Sequence, residues 1–137
     1  MDEHDAKAVA ALSGQLDYPV SESQVRDRFL RIAATMGDGL FVASNEQQAV
    51  VGWVHVHMVD RLEVERYAKI GGLVVAAVSR RGGIGRSLMV RAEKWATDSG
   101  YDRIKLSSSA HRHGAHAFYE RIGYSNIRTS FRFEKLL

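Results

Sequence analysis

Three arginines and three glycines crowd residues 80–87, RRGGIGRS. Those residue types together suit one chemistry, the cradling of an anion. Glycine lets backbone N–H groups come close to a phosphate, and arginine brings fixed positive charge to the same place. The stretch lies between two contrasting patterns. Ile70 to Val78 is apolar and rich in β-branched residues, as a buried strand requires. Ser87 to Thr97 carries Leu88, Met89, Ala92, Trp95 and Ala96 at helical spacing, and Gly100 supplies a stop. A strand, glycine loop and helix in that order aim unpaired N–H groups and a positive helix end at one point. A phosphate or pyrophosphate suits that point. A dinucleotide fingerprint would need G-x-G-x-x-G, but Leu88 stands where the third glycine belongs. A nucleoside-triphosphate loop would need G-K-[ST], which occurs nowhere in the chain.

The elements that must position this loop follow from the patterning. Residues 3–13 read as a helix, and Leu16 to Val20 as a turn around Pro19, the only proline. Ser21 caps a second helix, with Gln24 completing a capping box. Val25, Phe29, Ile32, Ala33 and Met36 make its apolar stripe. Gly37 to Gly39 ends it. Leu40 to Ser44 and Ala49 to Val59 read as a hairpin, and Tyr67 to Val78 as the central strand. A helix over Ser87 to Ser99 follows the loop. Then come a strand over Arg103 to Ser108, a helix over Gly114 to Ile122 and a closing strand over Ser125 to Phe133. Phe131 and Phe133 share one face of that last strand. Strands mixed with helices in 137 residues mean one mixed α/β domain over 1–137.

Composition narrows the function classes. There is no cysteine, which excludes a disulfide scaffold, a thiolate metal site and a cysteine nucleophile. The longest apolar run, around Ile70 to Val78, is far short of the roughly 20 residues of a membrane helix. The acidic, then alanine-rich start does not read as a signal peptide, so a cytoplasmic location and no membrane partner are expected. Net charge is +3, and Arg80, Arg81, Arg86 and Arg91 gather at the loop and its helix. That suits a small polyanion better than a nucleic acid, which would want a broader basic face.

The spacing Arg80-x-x-Gly83-x-Gly85 resembles the coenzyme A pyrophosphate loop, [QR]-x-x-G-x-[GA], of the GCN5-related N-acetyltransferase family. Residues 115–124, AHAFYERIGY, resemble that family's second signature, A-x-x-[FL]-Y-x-[KR]-x-G-[FY]. Residues 70–78 resemble the strand feeding the loop, and residues 40–56 the early hairpin ending in V-G-W. The resemblance covers nearly the whole chain in one order. It implies a central mixed, mostly antiparallel sheet flanked by helices. Family members usually begin with a strand, whereas this chain enters a helix almost at once. The expected sheet therefore lacks its first strand, or that strand precedes Met1. An edge so exposed wants cover, and a homodimer could supply it.

The resemblance also implies a chemistry: transfer of an acetyl group from acetyl-CoA to a primary amine, within a ternary complex and without an acetyl-enzyme. Arg80, Arg81, Gly82, Gly83, Ile84, Gly85, Arg86 and Ser87 would hold the pyrophosphate. Leu73, Val74 and Val75 would pair their backbone with the pantetheine arm, and an N–H there would polarise the thioester carbonyl. Ser109, Arg112, Ala115 and Phe118 would line the other side of the cofactor. Relatives often carry asparagine at the positions of Ser109 and Arg112. Tyr119 matches the tyrosine that protonates the departing thiolate. For the general base, Glu63 and Glu65 share strand parity and lead the candidates, Glu65 first, with His55 and His57 behind them. His111, His113 and His116 invite a metal reading, but no carboxylate or thiolate completes a set, so no metal is expected. The opening AALSGQLDYPVS resembles bacterial members loosely related to aminoglycoside N-acetyltransferases. A polycationic acceptor would want clustered acidic groups, and Asp17, Glu22, Asp27, Asp38, Asp60, Glu63 and Glu65 are scattered. A small molecule and a peptide N-terminus both remain open as acceptors. The alternative is a non-catalytic module that senses acetyl-CoA. An arginine-loop nucleic-acid or protein binder is a third class, and it leaves AHAFYERIGY unexplained.

Overall fold

A computed structural model describes all residues, 1–137. The chain forms two compact units, Met1–Leu106 and Ser107–Leu137.

The first unit opens with a 3-10 turn, Glu3–Asp5, that runs into α1, Ala6–Gly14. Helix α2 follows at Glu22–Ala33. Its start is the one the sequence specifies: the Gln24 N–H donates to Ser21 Oγ at 3.1 Å, and the Ser21 N–H to Gln24 Oε1 at 2.9 Å. Strands β1 (Asp38–Ser44), β2 (Val50–Arg61) and β3 (Val64–Val75) form an antiparallel meander. A 3-10 turn, Ala77–Ser79, and the glycine loop lead to α3, Ile84–Asp98. Strand β4, Ile104–Lys105, then pairs parallel to β3. The sheet order is β1-β2-β3-β4, and no strand precedes α1. This is the mixed, mostly antiparallel sheet with flanking helices that the resemblance implied.

Alternation along β2 divides the core between two faces. Val54 and Val56 are fully buried on one face, where Val56 and Trp95 of α3 both come against Gly39 of β1. Helix α3 turns Leu88, Met89, Ala92 and Ala96 inward. It comes so close to β2 that a Cβ on Gly52 would lie 2.9 Å from the Val74 carbonyl oxygen and 3.0 Å from Leu88. On the other face Trp53 packs with Val42 of β1 against Ala6 and Val9 of α1 and Val25 of α2. Leu12 of α1 joins Val51, Val74 and Ala76 beside it.

The second unit contains α4, His113–Arg121. The closing strand expected over Ser125 to Phe133 is not formed. Residues 125–137 carry no regular secondary structure and are exposed, Phe131 and Phe133 included. Alternation supplies a strand with an apolar face, but the strand also needs a partner for its N–H and C=O groups. This unit holds no other strand. The strand expected over Arg103 to Ser108 likewise shrinks to β4, and the central strand ends at Val75 rather than Val78.

Candidate active site

Strand β3 pairs with β2 along its length but with β4 only at Ala68 and Lys69. From Ile70 to Val75 its other edge has no strand partner. That stretch is also where the β2–β3 ladder slips. His55 pairs with Gly72 and Val56 with Ile70, so Gly71 is an extra, unpaired residue, a β-bulge. Gly71 and Gly72 both lie against β2 side chains, Gly71 against two histidines and Gly72 against the tryptophan. A Cβ on Gly72 would lie 2.6 Å from the Trp53 ring, and one on Gly71 would lie 3.2 Å from both His55 and His57. Only glycine at 72 lets the indole lie on the strand. Trp53 Nε1 is buried there without a hydrogen-bond partner. Leu73 and Val75 are half-buried and Val74 is buried.

The open edge leads into the loop. Arg81 and Gly83 both have positive φ, 67° and 84°, and Gly83 is the N-cap of α3 with no side chain closing it. The first helical bond runs from the Ser87 N–H to the Gly83 carbonyl at 3.0 Å. The N–H groups of Ile84, Gly85 and Arg86 therefore lie ahead of the helical ladder, at the positive end of the dipole. Arg80, Arg81, Gly82, Gly83, Arg86 and Ser87 are exposed. The Arg80 Nε–H donates to the Val75 carbonyl at 3.3 Å, which ties this arginine to the strand end. Helix α3 starts three residues earlier than the pattern suggested, because Ile84 docks against Gly52.

Elements of the second unit carry the second signature. Arg112 is the N-cap of α4, and its N–H donates to the Ser109 carbonyl at 3.0 Å. His116 Nε2 lies 2.9 Å from that same carbonyl. Ser109 and Arg112 are exposed, while Ala115, Phe118 and Tyr119 are half-buried. The Tyr119 ring lies 5.2 Å from Phe118 and 6.1 Å from Tyr124. Burial raises the Tyr119 pKa above the ordinary tyrosine value, and the positive charge of Arg112 offsets part of that rise. The hydroxyl thus holds its proton at neutral pH. His113 and His116 pack ring edge to ring face at 5.8 Å. No group of three or more His, Asp or Glu side chains is arranged to hold a metal ion.

The carboxylates expected to supply a base lie elsewhere. Glu63 is not on a strand: it sits in the β2–β3 turn, 3.8 Å from Arg61, so the parity argument for Glu63 and Glu65 does not hold. Glu65 is the second residue of β3, exposed, and eight residues ahead of Leu73. At about 3.3 Å per residue that is about 26 Å. A contact the sequence reading missed lies closer. His55 Nε2 is 2.6 Å from Asp38 Oδ2, both half-buried, and the His57 ring is 5.4 Å from that of His55. The signal was available. Closing the hairpin at residues 45–49 sets Asp38 opposite His57 and diagonal to His55.

Comparison with known proteins gives this architecture a family. The chain matches the acetyltransferase (GNAT) family over residues 7–124 and belongs to it. An aminoalkylphosphonate N-acetyltransferase of Salmonella typhimurium is 37% identical over 89 residues. That match spans 64% of this chain and 56% of the relative, so the chain covers little more than half of the relative's length. Among solved structures, an aminoglycoside 6'-N-acetyltransferase of Acinetobacter haemolyticus superposes with a TM-score of 0.83 at 18% identity, covering 100% of this chain and 96% of that one. AAC(6')-Iy, solved with the bisubstrate analogue CoA-S-monomethyl-acetylneamine, gives 0.86 at 14% identity, covering 100% and 95%. These two share the fold. No helix is long and apolar enough to cross a membrane.

Proposed function

We propose that the chain is an acetyl-CoA-dependent N-acetyltransferase acting on a small primary amine by direct transfer. The observation that carries this reading is the continuity of the unpaired β3 edge, Ile70 to Val75, with the Gly83-capped start of α3. An extended arm can hydrogen-bond to such an edge as an added strand would. A pyrophosphate at Ile84, Gly85 and Arg86 would meet backbone N–H groups, the helix dipole and the free guanidinium groups of Arg81 and Arg86. With the pyrophosphate at the loop, the arm runs back along β3 and delivers the thioester near Gly71 to Leu73. A backbone N–H there polarises the thioester carbonyl. The neutral amine attacks that carbonyl, the C–N bond forms, the C–S bond breaks and the nitrogen gives up one N–H proton. Tyr119 holds the proton that the leaving thiolate needs, and its raised pKa keeps the proton in place until then.

The acidic residues speak to the acceptor. Asp38 bonds His55, Glu22 lies 2.7 Å from Arg26, and Glu63 lies beside Arg61. Three of the seven carboxylates are thus engaged with neighbouring basic side chains, and the four that remain are scattered along the chain rather than gathered for a polycation. A compact amine bearing an anionic group, such as an aminoalkylphosphonate, fits better than an aminoglycoside. A homodimer and a cytoplasmic setting belong to the same proposal. Support for the dimer is that the outer edge of β1 has no strand partner.

Calorimetric titration of acetyl-CoA, with ATP and NAD as comparators, tests the cofactor. Thiol release with 2-aminoethylphosphonate and with neamine tests the reaction. Selective micromolar binding and release with the phosphonate are expected. Binding with no release from any amine would leave a sensor of acetyl-CoA.

A further inference from the structure

We propose that His55, held by Asp38, is the general base that takes the proton from the acceptor amine. This rests on the acetyltransferase reading above and adds to it the group that reading lacks. Four observations point to the pair. The first is the contact itself: Nε2 to Oδ2 at 2.6 Å, between half-buried side chains on neighbouring strands. A carboxylate only accepts, so in the neutral ring Nε2 carries the hydrogen and Nδ1 keeps its lone pair. The second is the space beside that nitrogen. Nδ1 lies 3.2 Å from the position a Cβ on Gly71 would occupy, and glycine leaves that position empty. The third is the backbone beneath it. Gly71 is the bulged residue, just past Lys69, where β4 stops pairing with β3. It therefore lies at the head of the open edge, where an arm anchored at Gly83 ends. The fourth is the alternative. Glu65 lies about 20 Å from Gly71 at strand spacing, six residues up β3, and Glu63 lies beyond it in the turn.

The step balances without another reactant. An alkylammonium acceptor gives one N–H proton to Nδ1, and the imidazolium that forms is held by the Asp38 carboxylate. The freed nitrogen lone pair attacks the thioester carbon. The C–S bonding pair leaves with sulfur, which takes a proton from Tyr119. As the amide forms, its nitrogen gives up a second N–H proton, which replaces through solvent the one Tyr119 donated. Coenzyme A leaves as the thiol, and the imidazolium releases its proton to solvent. Asp38 does not touch the amine. It is a positioning residue that fixes the ring and its tautomer.

The test uses the full chain with acetyl-CoA and two nucleophiles, 2-aminoethylphosphonate and hydroxylamine. The first arrives protonated at neutral pH, whereas hydroxylamine arrives with its lone pair free. In His55→Gln we expect acetyl-CoA binding as in the wild type and kcat for the phosphonate lower by about 100-fold, the usual scale of a lost general base. Transfer to hydroxylamine should fall far less. Asp38→Asn should lower kcat for the phosphonate by about 10-fold, with KM for acetyl-CoA unchanged. His55→Ala, with its fold checked by circular dichroism, guards against a misfolded glutamine variant. Equal losses with both nucleophiles, or no loss with either, overturn the base assignment and leave the acetyltransferase reading standing. A folded wild type that binds no acetyl-CoA, or that binds it and acetylates neither nucleophile, overturns the acetyltransferase reading itself, and the base falls with it.

Discussion

The two ends of β3 are built from the same strand and differ in almost everything else. At the start, Val64, Glu65 and Arg66 are exposed beside a turn, with Val64 opposite Arg61 of β2, and Glu65 and Arg66 carry charge into solvent. Neither end has a partner on the β4 side, but at the finish Ile70 to Val75 contain a bulge and two glycines and run into a helix start with free N–H groups. Charge density alone would put the chemistry at the first end, since Arg61, Glu63, Glu65 and Arg66 crowd it. The helix start puts it at the other, because only there does the open edge run on into uncapped N–H groups. Unpaired N–H and C=O groups must find partners, and a site that keeps them available in a packed sheet is where an extended ligand gains most. The side chains that bear on this end, Trp53 and His55, come from β2.

The comparison can be broken most forcefully at the loop. Gly83→Asp should abolish measurable acetyl-CoA binding by calorimetry. A Cβ at Gly83 meets nothing within 4 Å, so the effect is not local crowding. It comes from negative charge placed at the helix start and from a φ of 84°, which costs a non-glycine residue about 1–2 kcal/mol. Retained binding would move the pyrophosphate away from α3. Next in size is Tyr119→Phe. It should lower kcat by about 100-fold with acetyl-CoA affinity unchanged, because only the proton on the hydroxyl is lost. Normal turnover would remove Tyr119 as the acid.

Gly72→Ala probes the packing of the open end. Its methyl would lie 2.6 Å from the Trp53 ring, so the indole or the strand must move. Overpacking of this kind costs about 1–3 kcal/mol, read as a lower denaturant midpoint with unchanged slope. A smaller effect follows from the raised Tyr119 pKa. Below the pKa of the unfolded tyrosine, both states are protonated and the full stability is present. As pH rises through the folded pKa, the unfolded chain has already released its proton, and stability falls. Wild-type denaturant midpoints should therefore decline faster than those of Tyr119→Phe above the ordinary tyrosine range, and parallel decline would contradict the buried hydroxyl.

What could be read from the chain was what local spacing determines. The Ser21–Gln24 capping box, the hairpin about residues 45–49 and the glycine loop each declare themselves within a few residues, and the structure has all three. What could not be read depends on partners far along the chain. The strand expected at Ser125 to Phe133 had the right alternation, but alternation does not supply a neighbour. The bulge at Gly71 was hidden because GG inside an apolar run reads as strand either way, and only the ladder with β2 reveals the extra residue. Spacing alone gives Glu63 the same strand face as Glu65, and the turn denies it. The His55–Asp38 contact needed the register of two strands before either residue looked unusual.

The smallest expected effect lies back at the charged end. Glu63 and Arg61 form a pair at 3.8 Å with more than half of each side chain in solvent. Such a pair is screened by water and must fix two long side chains, so exposed pairs contribute about 0–1 kcal/mol. Glu63→Gln should therefore shift the denaturant midpoint by less than Gly72→Ala does, and added salt should shrink the difference further. A larger loss from Glu63→Gln would mean that the turn organises β3 over its whole length, and the two ends could no longer be treated as independent. A small one would leave the crowded charges as a solvated hairpin tip, with the demands of the fold and of the proposed chemistry both meeting at the glycines.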